Sequence, residues 1–435
     1  MNWKKVIQLS MVHVGVSITV VPVTSTLNRI MIADLHFSAL LVAFLIALPY
    51  LLSPLQVMMG NWTDRVTLWG HHRSPWIVIG GLMAAFGSYF TPHAVFLMTT
   101  HWTLGLLAAL GTFTVWGVGV NIASVSYLSL LSDLSEGQER WRSRAVSFMW
   151  TAMILSTILT AVILSLLLDP YTPTALYTAF GVIWLIASLL ILVGASRIEP
   201  LSTNQRLQNS AADPLMAFHL LVDNLTARRF FFYLLLVLVS IHAQDVLLEP
   251  FGAEALGMPV AQTSRLTSIW GVGVFLTLIG GLPLVRQWGK KASANVGAIV
   301  TAVAFLCIIA TGLRHQISLF QGAVLLLGLG GGLMTVSNLS FMLDMTVPQA
   351  AGLYMGAWGV ANFAGQALGS ILSGLLRDLF LQITGSSLVG YVAVFSLEVV
   401  GLLTAVWLFR TISVEEFRSE AELRLPDVMA VALDS

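Results

Sequence analysis

The chain has 435 residues, of which 57% are hydrophobic and 10% are charged, and its mean hydropathy is +0.86. A soluble domain carries about 25% charged residues, so this composition excludes a soluble enzyme, a disordered chain and a disulfide scaffold. The 21 basic and 21 acidic residues give a net charge of zero. We therefore expect a lipid bilayer as the surroundings of the protein, and no nucleic acid as a partner.

Twelve apolar segments each approach the length of about 20 residues that a membrane-spanning helix needs. The sequence thus predicts an all-α integral membrane protein with twelve transmembrane helices. Lys4 and Lys5 precede the first segment as in a signal peptide, but no small-residue cleavage site follows, so we expect this segment to be retained. The predicted spans are 6–27, 37–58, 75–99, 104–131, 145–168, 174–195, 230–249, 265–285, 292–313, 318–343, 350–376 and 387–410.

These spans divide the chain into four parts. Residues 1–195 form an N-terminal six-helix half, and 196–229 form a polar central linker. Residues 230–410 form a C-terminal six-helix half, and 411–435 form a charged tail that is expected to be a solvated helix.

The positions of Lys and Arg predict the orientation, because cytoplasmic loops are enriched in these residues. If the N-terminus is cytoplasmic, 17 of the 21 basic residues fall on the cytoplasmic side. The other side then holds only Arg29, Arg265, Arg314 and Arg377. Both termini and the central linker are therefore predicted to be cytoplasmic.

The two halves share an internal repeat. Residues 119–133 (GVNIASVSYLSLLSD) end the fourth span, and residues 330–344 (GGGLMTVSNLSFMLD) end the tenth. At a shift of 211 residues, six of the fifteen positions are identical, among them Gly119 with Gly330 and Asp133 with Asp344. Two six-helix halves related by an axis along the membrane normal are the architecture of the major facilitator superfamily. The repeat therefore predicts the major facilitator fold with two pseudo-symmetric halves.

The loop after the second span resembles the cytoplasmic signature of that superfamily, which consists of a Gly, an Asp-Arg pair and a basic cluster. The corresponding residues are Gly60, Asp64, Arg65 and Arg73. Gly60 would permit a close approach of helices, while Asp64 and Arg65 would pair with charges at neighbouring helix ends and latch the cytoplasmic side. The stretch before Arg73 is longer and less basic than the signature, and a positively charged loop without a gating role is the alternative.

Three further segments resemble the PucC-type bacteriochlorophyll delivery family of this superfamily. They are TLNRIMI (26–32), QDVLLEPFG (244–252) and GLYMGAWGVANFAGQALG (352–369). The resemblance implies a role in assembling photosynthetic light-harvesting complexes, with chlorophyll or bacteriochlorophyll as a transient ligand. It also implies antenna polypeptides, chlorophyll synthase and translocon components as partners. The implied location is an inner or plasma membrane, an intracytoplasmic membrane or a thylakoid membrane.

Span seven carries a group of ionisable residues, which are costly inside a membrane and usually face a cavity or a partner. His242, Asp245 and Glu249 are three, four and seven residues apart, so they are predicted to share one helical face, with Gln244 beside them. This face is either a polar wall of a pigment pocket or a hydrogen-bonding patch between helices. The patch would lie near the non-cytoplasmic surface, because the Glu249-Pro250 pair is expected to end the span.

Other residues are candidates for direct contact with the pigment. His13 and His242 are candidate ligands for the magnesium of a chlorin, because neutral imidazole binds metals through a ring nitrogen; a hydrogen bond to a neighbouring helix is the alternative for His13. Asn362 is a candidate for pocket lining or for bonding between helices. Three tryptophans lie deep enough to stack on a tetrapyrrole or to pack in the core, namely Trp150, Trp270 and Trp358.

The leading interpretation is a membrane assembly factor for light-harvesting complexes. A proton-coupled secondary transporter of a small solute is the first alternative, with Asp245, Glu249 or Glu398 as the proton carrier. A scaffold that docks partner polypeptides without a ligand is the second. No catalytic constellation or other metal site is visible in the sequence, so an enzyme is not expected.

Overall fold

The computed structural model describes residues 2–199, 224–347 and 351–421. Eight residues within these ranges are described by their backbone alone, namely Val57, Asn61, Asp64, Arg65, Glu139, Ala351, Gly352 and Leu353. Regular structure in the described ranges is helical, apart from a single β-bridge between Leu68 and His71.

Fourteen α-helices are labelled here in chain order. Helix α1 is continued by two π-helical segments, Pro22–Leu27 and Ile30–Asp34. The helices of the first six spans are α1 Trp3–Ser17, α2 Ala39–Leu51, α3 Pro54–Arg65, α4 Ser74–Thr100, α5 Trp102–Leu134, α6 Glu139–Leu167 and α7 Pro173–Ala195. Those of the last six are α8 Leu225–His242, α9 Gln244–Leu256, α10 Val260–Trp288, α11 Lys290–Arg314, α12 Ile317–Asp344, α13 Ala351–Thr384 and α14 Ser387–Arg410.

These helices supply the twelve predicted spans. Within the described ranges, eleven helical segments are long and apolar enough to cross a membrane, and we assign α4, with 27 residues, to the twelfth predicted span. Several spans extend beyond their predicted ends, most of all span seven, in which α8 and α9 continue to Leu256. The predicted all-α, twelve-helix fold is confirmed.

The contacts divide the chain into two compact units. The first comprises Met1–Asn209 and Asp245–Gly271, and the second comprises Ser210–Gln244 and Val272–Ser435. The units differ from the predicted halves in one segment, because α9 and the first part of α10 pack with the first six spans. Polar contacts of span one account for this packing, because Thr26 bonds to Ser264 in α10 and Asn28 bonds to Val246 in α9.

Glycines of the repeat explain why the same two helices pair closely in each unit. In the first unit, a Cβ atom at Gly119 of α5 would lie 2.3 Å from the backbone nitrogen of Ala84 in α4. In the second unit, a Cβ atom at Gly330 of α12 would lie 2.7 Å from the backbone nitrogen of Thr301 in α11. Both distances are too short for any side chain, so these aligned glycines permit the close pairing of α4 with α5 and of α11 with α12.

The beginning of the tail packs on the second unit. Residues 414–421 are helical, and the fully buried Phe417 lies edge-on to Tyr354, with 5.1 Å between ring centroids. Glu420 accepts a hydrogen bond of 3.1 Å from the backbone N–H of Thr226 in the first turn of α8. The expectation of a solvated tail helix is therefore wrong for this segment, because an apolar side chain and a helix cap fix it; residues 422–435 lie outside the described residues.

Candidate functional site

The start of α4 is fixed by a group of side chains that we call the first clamp: Thr63, Arg73, Asp133 and Glu199. Arg73 donates a 2.6 Å hydrogen bond to the Thr63 hydroxyl, and its Nε atom lies 3.6 Å from the Asp133 carboxylate. Glu199 accepts hydrogen bonds from the backbone N–H groups of residues 72, 73 and 74 at 2.7–3.1 Å. A carboxylate is stabilised at this position because the N-terminus of a helix carries positive partial charge.

The first clamp uses one predicted gating residue, Arg73. Gly60 lies in α3, where a Cβ atom would meet Val125 at an ordinary contact distance of 3.6 Å. The backbone of Asp64 and Arg65 ends α3. Their side chains lie outside the described residues, so the latch predicted for Asp64 and Arg65 stays a prediction.

The start of α11 is fixed by a second clamp, formed by Lys290, Lys291 and Asp344 with the end of α14. Lys290 lies 2.7 Å from the carboxylate of Asp344. Lys291 donates to the backbone carbonyls of Arg410 and Ile412 at 3.1 and 2.8 Å. Asp344 is the repeat partner of Asp133, so the two aligned aspartates hold corresponding positions in the two clamps.

Span one presents a line of buried polar residues to α9 and α10. The first π-helical segment carries Ser25 and Thr26, and Asn28 and Arg29 lie between the two π-helical segments; all four residues are buried. Thr26 and Ser264 are joined by a hydrogen bond of 3.0 Å between their hydroxyls. Widened π turns are frequent at functional sites. The segments TLNRIMI (26–32) and QDVLLEPFG (244–252) are in direct contact through Asn28 and Val246.

The side-chain amide of Asn28 supplies a hydrogen-bond donor that the backbone of α9 lacks. A proline has no backbone N–H, so Pro250 leaves the carbonyl of Val246, four residues earlier, without its helical donor. The amide of Asn28 donates to that carbonyl at 2.8 Å, and it lies 3.4 Å from the carbonyl of Asp245. This substitute donor allows α9 to continue through Pro250 to Leu256. The prediction that Glu249-Pro250 ends the span is therefore wrong.

Glu249 lies beside this contact with its carboxylate enclosed by hydroxyl groups. Its side chain is 5% exposed. The Thr267 hydroxyl of α10 donates to its carboxylate at 2.8 Å, and the hydroxyls of Thr267 and Ser25 are 2.9 Å apart. We call Ser25, Asn28, Glu249 and Thr267 the polar joint. The joint connects spans one, seven and eight through buried groups in a low-dielectric setting, where unpaired polar atoms are costly.

One end of the joint carries an ion pair between Arg29 and Asp34. Arg29 also donates to the backbone carbonyl of Met258 at 3.3 Å. Tyr171, in the connection between α6 and α7, lies near this pair. Its burial and the neighbouring Asp34 carboxylate raise the pKa of the Tyr171 phenol to about 12, against the opposing effect of Arg29. The phenol therefore stays protonated beside the ion pair at physiological pH.

His13 lies in α1 with one ring nitrogen that has no hydrogen-bond partner. Its side chain is 6% exposed, and its buried Nδ1 atom bonds to no group in the described part of the chain. The ring lies 5.1 Å from that of Tyr127 and 5.8 Å, edge-on, from that of Trp150. Trp150 is 51% exposed. The structure thus places a buried imidazole, with one nitrogen unbonded among the described residues, next to an exposed indole.

The remaining candidates are distributed over both units. Helix α8 ends at His242 and α9 begins at Gln244, so His242, Asp245 and Glu249 belong to two helices rather than to one. His242, Gln244 and Asn362 belong to the second unit, where Asn362 accepts a hydrogen bond from Gln366. Asp245 and Trp270 belong to the first unit and are half-buried.

Trp358 is part of the core of the second unit. It is 0% exposed, its Nε1 donates to the backbone carbonyl of Met345 at 3.3 Å, and Phe230 contacts it edge-on at 4.8 Å. Of the two alternatives for Trp358, stacking on a ligand or packing in the core, this structure has the indole packed in the core.

Three residues of the joint were not predicted as site residues from the sequence, namely Ser25, Asn28 and Thr267. A signal for Asn28 was present: a proline within an apolar span leaves a backbone carbonyl without its helical donor, and a polar side chain from a neighbouring helix is one group that can replace it. Nothing local to Pro250 identifies that helix, because Asn28 and Val246 are 218 residues apart.

Solved structures with the same fold are membrane transporters. A mutant of the nucleoside transporter NupG is similar with a TM-score of 0.73 and 14% identity, over 94% of this chain and 100% of that chain. A bacterial homologue of the human lysosomal transporter Spinster is similar with a TM-score of 0.70 and 13% identity, over 97% and 99% of the two chains. At these identities the likeness shows the fold alone, so the protein is an integral multi-pass membrane protein with a major facilitator fold.

The family follows from the sequence itself. Residues 26–417 match the family model described as PUCC protein, and the chain belongs to this family. Protein PucC of Cereibacter sphaeroides is 28% identical over 413 residues, which cover 91% of this chain and 89% of that protein. The bacteriochlorophyll synthase 44.5 kDa chain of Rhodobacter capsulatus is 27% identical over 385 residues, covering 87% and 88%. Family and fold are those of a membrane transporter or assembly factor rather than of an enzyme.

Proposed function

We propose that this protein is a membrane assembly factor for photosynthetic light-harvesting complexes, which binds chlorophyll or bacteriochlorophyll and presents it to antenna polypeptides. The observation that carries the proposal is the family match over residues 26–417. The name of one relative, a bacteriochlorophyll synthase chain, supports a chlorin pigment as the ligand. Antenna polypeptides, chlorophyll synthase and translocon components are the partners that fit this role.

His13 is the group that we assign to the pigment magnesium. It is supported by a buried imidazole whose Nδ1 bonds to no described group, beside the exposed ring of Trp150. Imidazole is a common metal ligand in proteins, and aromatic rings stack favourably on flat conjugated ligands. His242 remains a second candidate, because it is half-buried at the end of α8.

The membrane that suits this function is the one in which antenna complexes are inserted, whether a plasma, intracytoplasmic or thylakoid membrane. Both termini are proposed to be cytoplasmic. The two clamps then lie at the cytoplasmic ends of their helices, where the basic residues concentrate.

A genetic complementation experiment tests the assembly role. A pigment-synthesising strain that lacks this gene is complemented with the wild type, with His13→Leu or with His93→Leu. His93 is a matched control because it is an exposed histidine of α4 that stacks on Tyr177 at 4.4 Å. We expect antenna absorbance to be restored by the wild type and by His93→Leu but reduced with His13→Leu, at equal membrane levels of the three proteins. Full restoration by His13→Leu would exclude His13 as the ligand, and normal antenna levels without the gene would refute the assembly role.

A proton-coupled transporter of a small solute is the second candidate function. It is supported by the transporter fold and by the buried carboxylate of Glu249 at the contact of three spans. Buried carboxylates inside membrane spans often carry protons in transporters. Solute uptake into proteoliposomes that is driven by a proton gradient and abolished by Glu249→Gln would favour this function over pigment presentation.

A further inference from the structure

One face of α6 carries two guanidinium groups followed by a strip of exposed apolar side chains. Arg140 and Arg144 are exposed and lie four residues apart, so they share a face of the helix. At 3.6 residues per turn, the apolar residues that continue this face fall within an arc of about 100°. They are Phe148, Leu155, Leu159, Val162 and Leu166, all of them exposed.

The apolar strip has the length of a bilayer core. At about 1.5 Å per residue, the distance from Phe148 to Leu166 is roughly 27 Å, and the hydrocarbon core of a bilayer is about 30 Å thick. Arg144 and Arg140 precede the strip by one and two turns. Their guanidinium groups therefore lie at the depth of lipid headgroups when the strip is in the hydrocarbon.

Helix α1 adds the ring of Trp3 to this surface, and an exposed cation, Lys4, follows that ring in the chain. Trp3 contacts the rings of Trp141 and Phe148 edge-on, at centroid distances of 5.5 and 5.9 Å. The guanidinium of Arg144 lies over the ring of Trp141, 6.0 Å from its centroid. Lys4 is exposed and follows Trp3 directly. Tryptophan and basic residues together are typical of the membrane–water interface.

We propose that this surface, formed by Trp3, Lys4, Arg140, Trp141, Arg144 and the apolar strip, is a binding site for an anionic phospholipid. The phosphate headgroup pairs with Arg140, Arg144 and Lys4, and an acyl chain lies along the strip. An acidic peptide would satisfy the cations but leave the apolar strip uncovered. A zwitterionic lipid would cover the strip but bring no net negative charge to the three cations. Only an anionic lipid satisfies both parts of the surface.

Competition between lipids tests the proposal on the purified full-length protein. The protein is mixed with equal amounts of phosphatidylglycerol and phosphatidylcholine, and the bound lipids are counted by native mass spectrometry. We expect the wild type to prefer phosphatidylglycerol, and Arg140→Gln with Arg144→Gln to lower that preference by roughly fivefold per guanidinium removed. Arg140→Lys with Arg144→Lys should keep most of the preference, because the charge is retained.

The control variant is Arg228→Gln with Arg229→Gln. It also removes two positive charges, but at the start of α8. This variant should keep the wild-type preference. An equal loss in the control would show a general effect of surface charge and overturn the site, as would a wild type without any preference. Displacement of the phospholipid by a soluble polyglutamate peptide would assign the surface to a protein partner instead.

Discussion

The first and the second clamp fix the corresponding helices α4 and α11, but they do so with side chains of opposite charge. At the start of α4, the carboxylate of Glu199 accepts hydrogen bonds from three backbone N–H groups. At the start of α11, Lys291 reaches across to the end of α14 and donates to two backbone carbonyls. An anion at a helix N-terminus and a cation at a helix C-terminus are both stabilised by the helix dipole. The two clamps thus share an aspartate at the same position of the repeat, Asp133 or Asp344. They differ in the charged residue that binds the backbone, which is Glu199 in the first clamp and Lys291 in the second.

The polar joint differs from both clamps. Each clamp contains an ion pair that is partly exposed, whereas the joint is buried and its central contact completes the backbone of α9. Two of its four residues, Asn28 and Glu249, belong to the segments that carry the family resemblance. The clamps therefore fix the ends of helices, whereas the joint completes the hydrogen bonding in the interior of one helix.

The largest loss of stability is expected from a substitution in the polar joint. Asn28→Leu leaves the carbonyl of Val246 buried without a donor, which costs about 2–3 kcal/mol. Pro250→Ala restores a backbone N–H four residues after Val246, so the double variant should recover a large part of that loss. Unfolding midpoints in detergent measure both effects. If Asn28→Leu destabilises the wild type and the Pro250→Ala variant equally, Asn28 does not replace the backbone donor that Pro250 lacks.

The second largest loss of stability is expected from a substitution in the first clamp. Glu199→Ala leaves three backbone N–H groups of the α4 start without their acceptor, and losses of helix caps cost about 1–2 kcal/mol. Thermal unfolding in detergent measures the loss. Glu136→Ala, at an exposed position before α6, is the control, and an equal loss in that variant would remove the special role of Glu199.

A smaller effect is expected at the second clamp. Lys291→Met keeps the length of the side chain but removes the charge near the end of α14, and such interactions contribute about 0.3–1 kcal/mol at partly exposed sites. Thermal unfolding under the same conditions measures this loss. If Lys291→Met proves more destabilising than Glu199→Ala, the ranking of the two clamps is wrong.

The orientation of the clamps can be tested without any change in stability. In a Cys307→Ser background, Trp69→Cys and Trp288→Cys place exposed thiols next to the first and second clamp. Both should resist a membrane-impermeant maleimide in intact cells and react after lysis. Trp102→Cys, at the other end of α4 and α5, should react in intact cells; the reverse pattern would place both clamps on the non-cytoplasmic side.

The fold was largely predictable from the sequence because twelve apolar segments of the required length have few alternatives in a bilayer. Span seven was predicted too short, since the effect of Pro250 depends on Asn28, which is distant in the chain. Phe417 was overlooked because charged neighbours surround it, although Phe417 and Ala421 have the spacing of one helical face. Of the site, His13 and Glu249 were identified by the cost of polar groups in a membrane. The hydroxyls around Glu249 were not, because Ser and Thr are common in spans.

The absorbance spectrum of the purified protein tests the central claim most directly. The protein is solubilised in mild detergent from cells that synthesise chlorin pigments, and pigment per polypeptide is measured for the wild type, His13→Leu and His93→Leu. Pigment presentation predicts a red chlorin band that copurifies with the wild type and with His93→Leu and is lost from His13→Leu. A wild type that copurifies with antenna polypeptides but carries no chlorin absorbance would contradict the claim that this protein binds the pigment.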